Sequence, residues 1–356
     1  MKQFTSTNAD RLSRRDFLKV AGGLGMTAAG MTLLQACGAG PATAIPIAED
    51  APLETTTIRI PQPAIVSICI APLFLAEDFL KVEGFTDVQY PRTTSQGSLV
   101  VDYLASGQGD LAMQFSGPSI LYLDEGKPVT ILAGVHVGCF ELFGTERVSE
   151  ISELKGKTVA ITQLSGPEHV FLSSILAYVG LDPNKDVVWT VRPGPEARQL
   201  FVDGKVDAYL AFPPFAQELR AMQIGHVVLN SMMDMPWSQY FCCMATFNRN
   251  FVQKNPVATK RALRALLKAS DLCAREPERA AKLMVDKGYT KNYDYALEAL
   301  QQIPYNVWRG YDPEDTLRFY ALRLHDVGMI ESSPDEIITK GTDWTFLNEL
   351  KVELKA

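Results

Sequence analysis

Apolar and polar positions follow two rhythms along this chain. Residues 129–137 form a nearly continuous apolar run, the pattern of a strand buried on both faces inside a parallel sheet. Shorter apolar runs predict strands at 57–60, 88–90, 111–113, 187–191 and 208–210, with another ending at Ile161. Between them the spacing changes to the helical period. Residues 71–80 place Leu73, Ala76, Phe79 and Leu80 on one face. Further helices are expected at 98–106, 119–125, up to Tyr178, and at 197–203. The order is strand, loop, helix, repeated, and right-handed crossovers are expected. From Phe241 the pattern changes. Asn255-Pro256 opens a long helix to Arg275, with Asn as cap and Pro at the first position. Helices follow near 277–287, 293–302, 312–327 and 344–353, punctuated by Pro, Gly and Asp. This helical tail is expected to wrap the first strand-and-helix unit.

One unit occurs twice. Leu104-Ala105-Ser106-Gly107-Gln108-Gly109-Asp110-Leu111-Ala112-Met113 returns as Leu200-Phe201-Val202-Asp203-Gly204-Lys205-Val206-Asp207-Ala208-Tyr209-Leu210. Gly107 and Gly204 stand where a helix ends in a left-handed residue. Asp110 and Asp207 stand where a side-chain oxygen can tie the turn before the next strand. Two such α/β units in one chain imply two similar domains facing each other.

The N-terminal residues follow neither rhythm. Ser13-Arg14-Arg15-Asp16-Phe17-Leu18-Lys19 reads as a twin-arginine export signal with a weakly apolar core at 20–34. That core is about 15 residues, short of the roughly 20 that span a bilayer. Leu34-Gln35-Ala36-Cys37 matches a lipobox, which makes Cys37 the expected site of lipid attachment and residues 1–36 a removable signal. Residues 37–56, rich in Ala, Pro and Thr, read as a flexible tether. The 356-residue chain is 47% hydrophobic and 21% charged, with a formal charge of −7. Residues 1–36 carry five basic and two acidic side chains, so the remainder stands at −7 − 3 = −10. That balance argues against nucleic acid as a partner. An exported, lipid-anchored monomer is expected.

Cys69, Cys139, Cys242, Cys243 and Cys273 remain after Cys37, and four histidines are scattered along the chain. None of the cysteines is spaced C-x-x-C, which argues against a zinc site or a redox motif. No cofactor is expected. No Ser-His-Asp spacing, phosphate loop or carboxylate pair stands out either.

In this order, Pro72-Leu73-Phe74-Leu75-Ala76, the two Gly-x-x-Asp units, Gly126-Lys127-Pro128-Val129, Leu154-Lys155-Gly156-Lys157-Thr158-Val159-Ala160 and Asn255-Pro256 carry a resemblance. The chain resembles the periplasmic solute-binding proteins of ABC importers, in the branch of nitrate, sulfonate/taurine, thiamine-pyrimidine and riboflavin binders. The match covers about 57–275. It implies an α/β, two-lobed periplasmic-binding-protein fold of type II, with a central ligand cleft and a helical C-terminal wrap. Lobe 1 would hold 57–142 and 242–356, and lobe 2 would hold 143–241. The implied partners are a small solute, a membrane permease, and the membrane itself through Cys37.

Ligands of open α/β sheets bind beyond the carboxyl ends of the strands. The candidate loops are therefore 62–67, 94–98, 115–119, 136–140, 163–169, 192–196, 212–215 and 236–241. Polar candidates within them are Gln62, Ser67, Ser95, Gln96, Ser116, Gln163, Ser165, Glu168 and His169. Each also suits a turn or a helix cap. His169 sits just inside a helix start, where the dipole favours the neutral ring. The aromatic candidates Phe115, Phe212, Trp237 and Tyr240 lean the reading towards a flat heterocycle such as riboflavin or a thiamine-precursor pyrimidine. An oxoanion or alkylsulfonate is the alternative, favoured if Arg92 and Arg192 both face the cleft. An enzyme resembling the fungal pyrimidine synthase is the second alternative. Its cysteine-rich motif departs here to Phe241-Cys242-Cys243-Met244. Neighbouring strand residues point to opposite faces, so at most one of these two cysteines would reach the cleft.

Overall fold

The short strands assemble into three sheets. β1 (Thr57–Arg59) and β2 (Asp87–Gln89) pair in parallel. β3 (Leu111–Phe115) and β4 (Val129–Val137) lie on either side of β10 (Phe241–Asn248), both antiparallel to it. β5 (Glu141–Gly144), β6 (Lys157–Ile161), β7 (Val187–Val191), β8 (Ala208–Ala211) and β9 (His226–Asn230) form one sheet in the order β7-β6-β8-β5-β9. Here β6 runs parallel to β7 and β8, while β5 is antiparallel to β8 and β9. This computed structural model describes residues 51–93 and 99–355. The export signal, Cys37, Ser95 and Gln96 lie outside the described residues.

The first helices are α1 (Ala71–Leu75), α2 (Glu77–Val82), α3 (Val100–Ala105) and α4 (Ser116–Asp124). α5 (Pro167–Tyr178), α6 (Gly194–Val202) and α7 (Phe215–Met222) accompany the five-stranded sheet. The remainder are α8 (Arg249–Lys254), α9 (Pro256–Arg275), α10 (Pro277–Asp286), α11 (Tyr293–Gln302), α12 (Pro313–Asp326), α13 (Pro334–Gly341) and α14 (Thr345–Glu353).

Four expectations change. The apolar run at 129–137 is a strand buried along its length, but its sheet partner is the antiparallel β10. Both faces are covered because α3 and α4 pack on it, as do α8, α9, α13 and α14. Continuous hydrophobicity reports burial on two faces, not strand direction. The helix expected at 71–80 is two segments meeting at Ala76. The cap of α9 is also different. Asn255 donates from Nδ2 to the Phe251 carbonyl of α8, at 3.2 Å. The first free N–H groups of α9, from Val257 and Ala258, donate instead to the Glu54 carboxylate at 2.9 and 3.0 Å. A carboxylate from 203 residues away thus meets the positive end of the helix. The helical tail reaches further than expected as well, since α12 packs on both α4 and α5, and α11 on α7.

The repeated unit does the same work twice. Gly107 and Gly204 adopt left-handed φ of 74° and 67° and end α3 and α6. Three residues on, each Asp grips a neighbouring strand. Asp110 Oδ2 accepts from Arg59 N at 2.8 Å, and Asp110 N donates to Arg59 O at 2.8 Å. Asp207 Oδ2 accepts from Thr158 N at 2.8 Å and from its hydroxyl at 2.7 Å. Asp207 N donates back to Thr158 O at 2.8 Å. Arginines complete both grips, Arg59 on Asp110 and Arg147 on Asp207. The carboxylate thereby fixes where the next strand starts relative to its neighbour, and so where both strands end.

Asp207→Ala removes charged hydrogen bonds and strands the Thr158 N–H, which should cost about 3 kcal/mol. Asp286→Ala, which loses only an exposed pair with Lys282, should cost under about 0.5 kcal/mol. Urea denaturation of the two variants checks the contrast, and equal midpoints would remove the strand-anchoring role.

Candidate functional site

The loops leaving the carboxyl ends of the strands converge on a cavity of about 390 Å³. From the first group come Pro61, Pro63 and Ile65 after β1, Gln114 and Phe115 at the end of β3, and Phe140 after β4. From the second come Thr162 and Gln163 after β6, Pro193 and Pro195 after β7, and Phe212 after β8. The head of α5 adds Pro167 and Glu168. The size falls in the usual range for small-molecule sites, and the walls are mainly proline, aliphatic and aromatic. Ser67 joins the two sides, its hydroxyl donating to the Pro213 carbonyl at 2.9 Å.

No Lys, Arg or His stands among the described lining residues. Arg92 and Arg192 are both exposed and neither lines the cavity. Arg192 instead donates to its own Val191 carbonyl at 2.7 Å. The carboxyl in the lining is Glu168, buried and held at 3.0 Å by the Thr162 hydroxyl. Burial pushes its pKa up, and the Thr162 contact only partly opposes this.

Cys69, Cys139 and Cys243 line one side of the cavity. Behind them lie Cys242, with its sulfur 3.2 Å from Cys139 Sγ, and His136. The sulfurs of Cys139, Cys242 and Cys243 lie within 4.8 Å of one another, as do the donor atoms of Cys69, His136 and Cys243. All five side chains are buried. The ladder of β10 shifts register on both sides of Cys243 against β4, a bulge that lets adjacent cysteines enter one cluster. Cys139 has an uncommon positive φ of 153°. Ser231 Oγ holds that segment by accepting from the N–H groups of Cys139 and Phe140 at 3.2 and 3.0 Å. Burial raises the Cys139 and Cys242 thiols, whereas Cys243 is drawn down against its own burial by the surrounding thiols and His136. The spacing argument overlooked this group because its members lie on three separate segments.

Residues 54–285 match the model of the NMT1-like family. The chain belongs to that family. A similar curated protein is the 4-amino-5-hydroxymethyl-2-methylpyrimidine phosphate synthase THI13 of Saccharomyces cerevisiae. It is 25% identical over 248 residues, which cover 65% of this chain and 71% of that one. Among solved structures, the periplasmic nitrate-binding protein NrtA from Synechocystis superposes with a TM-score of 0.70 at 19% identity, covering 85% of this chain and 90% of that one. The putative periplasmic sulfonate-binding protein SsuA from Methylobacillus flagellatus gives 0.63 at 17% identity, covering 84% and 94%. This NMT1-like chain therefore has the α/β periplasmic-binding-protein fold.

Of the side chains singled out from the sequence, this member of the family brings Ser67, Phe115, Gln163, Glu168 and Phe212 together at the cavity. Phe115 is anchored from behind by Phe171 and Tyr320, with ring centres 5.3 and 5.1 Å away. The other described candidates stand outside the lining. Gln62 extends the β1–β2 ladder, bridging to Arg92. Ser116 is wholly buried in the first turn of α4, its hydroxyl without a partner. Ser165 is an exposed turn residue whose N–H donates to His169 Nδ1 at 3.1 Å. His169 packs edge-on against Trp189. Trp237 packs against Tyr178, and Tyr240 stacks on Phe319 at 4.0 Å. Aromatic residues near a strand end serve core and cavity alike, and only their partners separate the two. Among the described residues no helix is long and apolar enough to cross a membrane.

His169 is neutral mainly because burial lowers its pKa to about 4. The unfolded ring titrates near 6.5 and binds its proton first. Stability should therefore be full above about pH 6.5 and fall by up to about 3 kcal/mol as pH drops towards 4. His169→Gln should flatten that decline in melts taken across the range, and an unchanged slope would assign it elsewhere.

Proposed function

We propose that this chain is the solute-binding component of an ABC-type importer, and that its cavity takes a flat heterocycle of the riboflavin or thiamine-pyrimidine kind. On this reading the chain is exported, anchored to the outer face of the membrane through Cys37, and delivers its solute to a permease. Lobe 1, at 57–142 with 242–356, and lobe 2, at 143–241, close on the solute by hinge motion. The fold and the likeness to NrtA and SsuA support the transport role.

One observation carries the choice of solute: an apolar cavity of about 390 Å³ without a cation among its described lining residues. A nitrate or sulfonate buried there would lack a compensating charge. The volume also far exceeds a nitrate ion. A planar ring suits the proline walls and the faces of Phe115 and Phe212. Glu168, Gln163 and Ser67 supply hydrogen-bonding groups for ring heteroatoms and amino groups.

A thermal-shift screen against riboflavin, thiamine, its pyrimidine precursor, taurine, alkylsulfonates and nitrate tests this. A ligand at a hundred times its dissociation constant adds about 2.7 kcal/mol. Phe212→Ala should weaken heterocycle binding by about tenfold, equivalent to 1.4 kcal/mol. Trp237→Ala should instead destabilise the fold by about 3 kcal/mol. A shift only with nitrate or sulfonate overturns the heterocycle reading.

The similarity to THI13 and the thiols at the cavity favour a second reading, an enzyme acting on a pyrimidine precursor. Mass spectrometry of the solute after incubation separates the two. A binding protein releases it unchanged.

A further inference from the structure

The imidazole of His136 is fully buried, with Nδ1 3.1 Å from the Val137 carbonyl. With Nδ1–H donating there, Nε2 keeps its lone pair, and it has no hydrogen-bond partner. An orphaned buried nitrogen costs free energy unless something occupies it. What lies within reach is a pair of thiols, Cys69 and Cys243, whose sulfurs and a His136 ring nitrogen fall within 4.8 Å of one another. A metal-ligating histidine almost always donates its other ring N–H in this way.

From this geometry we infer that Cys69, His136 and Cys243 form a zinc site whose fourth coordination position opens into the solute cavity. Tetrahedral zinc, with bonds of about 2.3 Å to sulfur and 2.0 Å to nitrogen, sets its donors about 3.5 to 3.8 Å apart. The three atoms lie within 4.8 Å of one another, so they need to draw in by about 1.3 Å at most, within reach of side-chain rotation. Charge supports the assignment. Two thiolates, a neutral imidazole and Zn²⁺ sum to zero, the balance that a site with every donor buried favours. The cysteines bind as thiolates, so any proton they carry in the empty site is released to solvent. Cys69 and Cys243 line the cavity and His136 does not. The ion therefore sits between the imidazole and the solute space. Three protein ligands with one open position is the pattern of zinc sites that bind an exogenous group. A ring nitrogen or carbonyl of a solute is a suitable fourth donor, so the site adds a directional contact to an otherwise apolar wall. The inference holds for any solute with such a donor and does not depend on the transport reading.

The test uses the reduced full-length chain under anaerobic conditions, titrated with Zn²⁺ against a chromogenic chelator and separately with Co²⁺. One zinc per chain is expected, and cobalt should give thiolate charge-transfer absorption with tetrahedral d–d bands. Cys69→Ser and Cys243→Ser should each weaken zinc binding by on the order of a hundredfold. His136→Gln should weaken it by about tenfold or more. Cys273→Ser, which alters a buried thiol of α9 outside the group, should leave binding unchanged. Circular dichroism checks each fold, and Cys69→His, which restores a donor, should recover the cobalt d–d bands. Absence of stoichiometric zinc in the reduced wild type overturns the site. Loss of binding in Cys139→Ser and Cys242→Ser, with Cys69→Ser and His136→Gln unaffected, also overturns it by moving the ion to the other sulfur group.

Discussion

The Asp110 and Asp207 carboxylates hold the strand ends on which the cavity depends. Each accepts a backbone N–H from the strand beside it, Arg59 in one case and Thr158 in the other. Strands β1, β3, β6 and β8 span only three to five residues, too few for ladder hydrogen bonds alone to resist slippage. A charged acceptor at the strand start adds a fixed point whose loss strands a donor. With the starts fixed, Pro61, Phe115, Gln163 and Phe212 leave their strands at heights that let them meet.

The space they enclose is mostly apolar, and its lining includes the Glu168–Thr162 pair and the clustered sulfurs of Cys69, Cys139 and Cys243. Without an arginine or lysine, the described walls offer a buried anion no compensating charge. The thiol side exists because β10 bulges where Phe241-Cys242-Cys243-Met244 crosses β4. Regular alternation would have sent one cysteine away from the other. Gly134 on β4 allows this crossing, since a Cβ there would sit 2.2 Å from the Phe241 ring.

Much of this fold was legible in the sequence. β7 at Val187–Val191 and α11 at Tyr293–Gln302 fall where periodicity put them. The two Gly-x-x-Asp units announced a duplicated α/β plan, and the left-handed glycines are where the helix ends required them. These features arise from hydrogen bonds and side-chain periods spanning a few residues, so a few residues encode them. The family likeness placed the candidate loops, because ligand sites follow from where parallel strands end.

Only the tertiary structure decided which side chains within those loops face the cavity. Phe115 and Trp237 read alike in sequence, yet one lines the space and the other packs on Tyr178. Glu54 caps a helix that begins at Pro256. Cys69, His136 and Cys243 meet across as many as 174 positions, the difference between 243 and 69. Contacts at such separation leave no local pattern, since their stability comes from packing that exists only once the sheets have formed. The chain by itself determined the elements, their order and the ends at which a site would form. The chemistry of that site was decided by which surfaces closed over it.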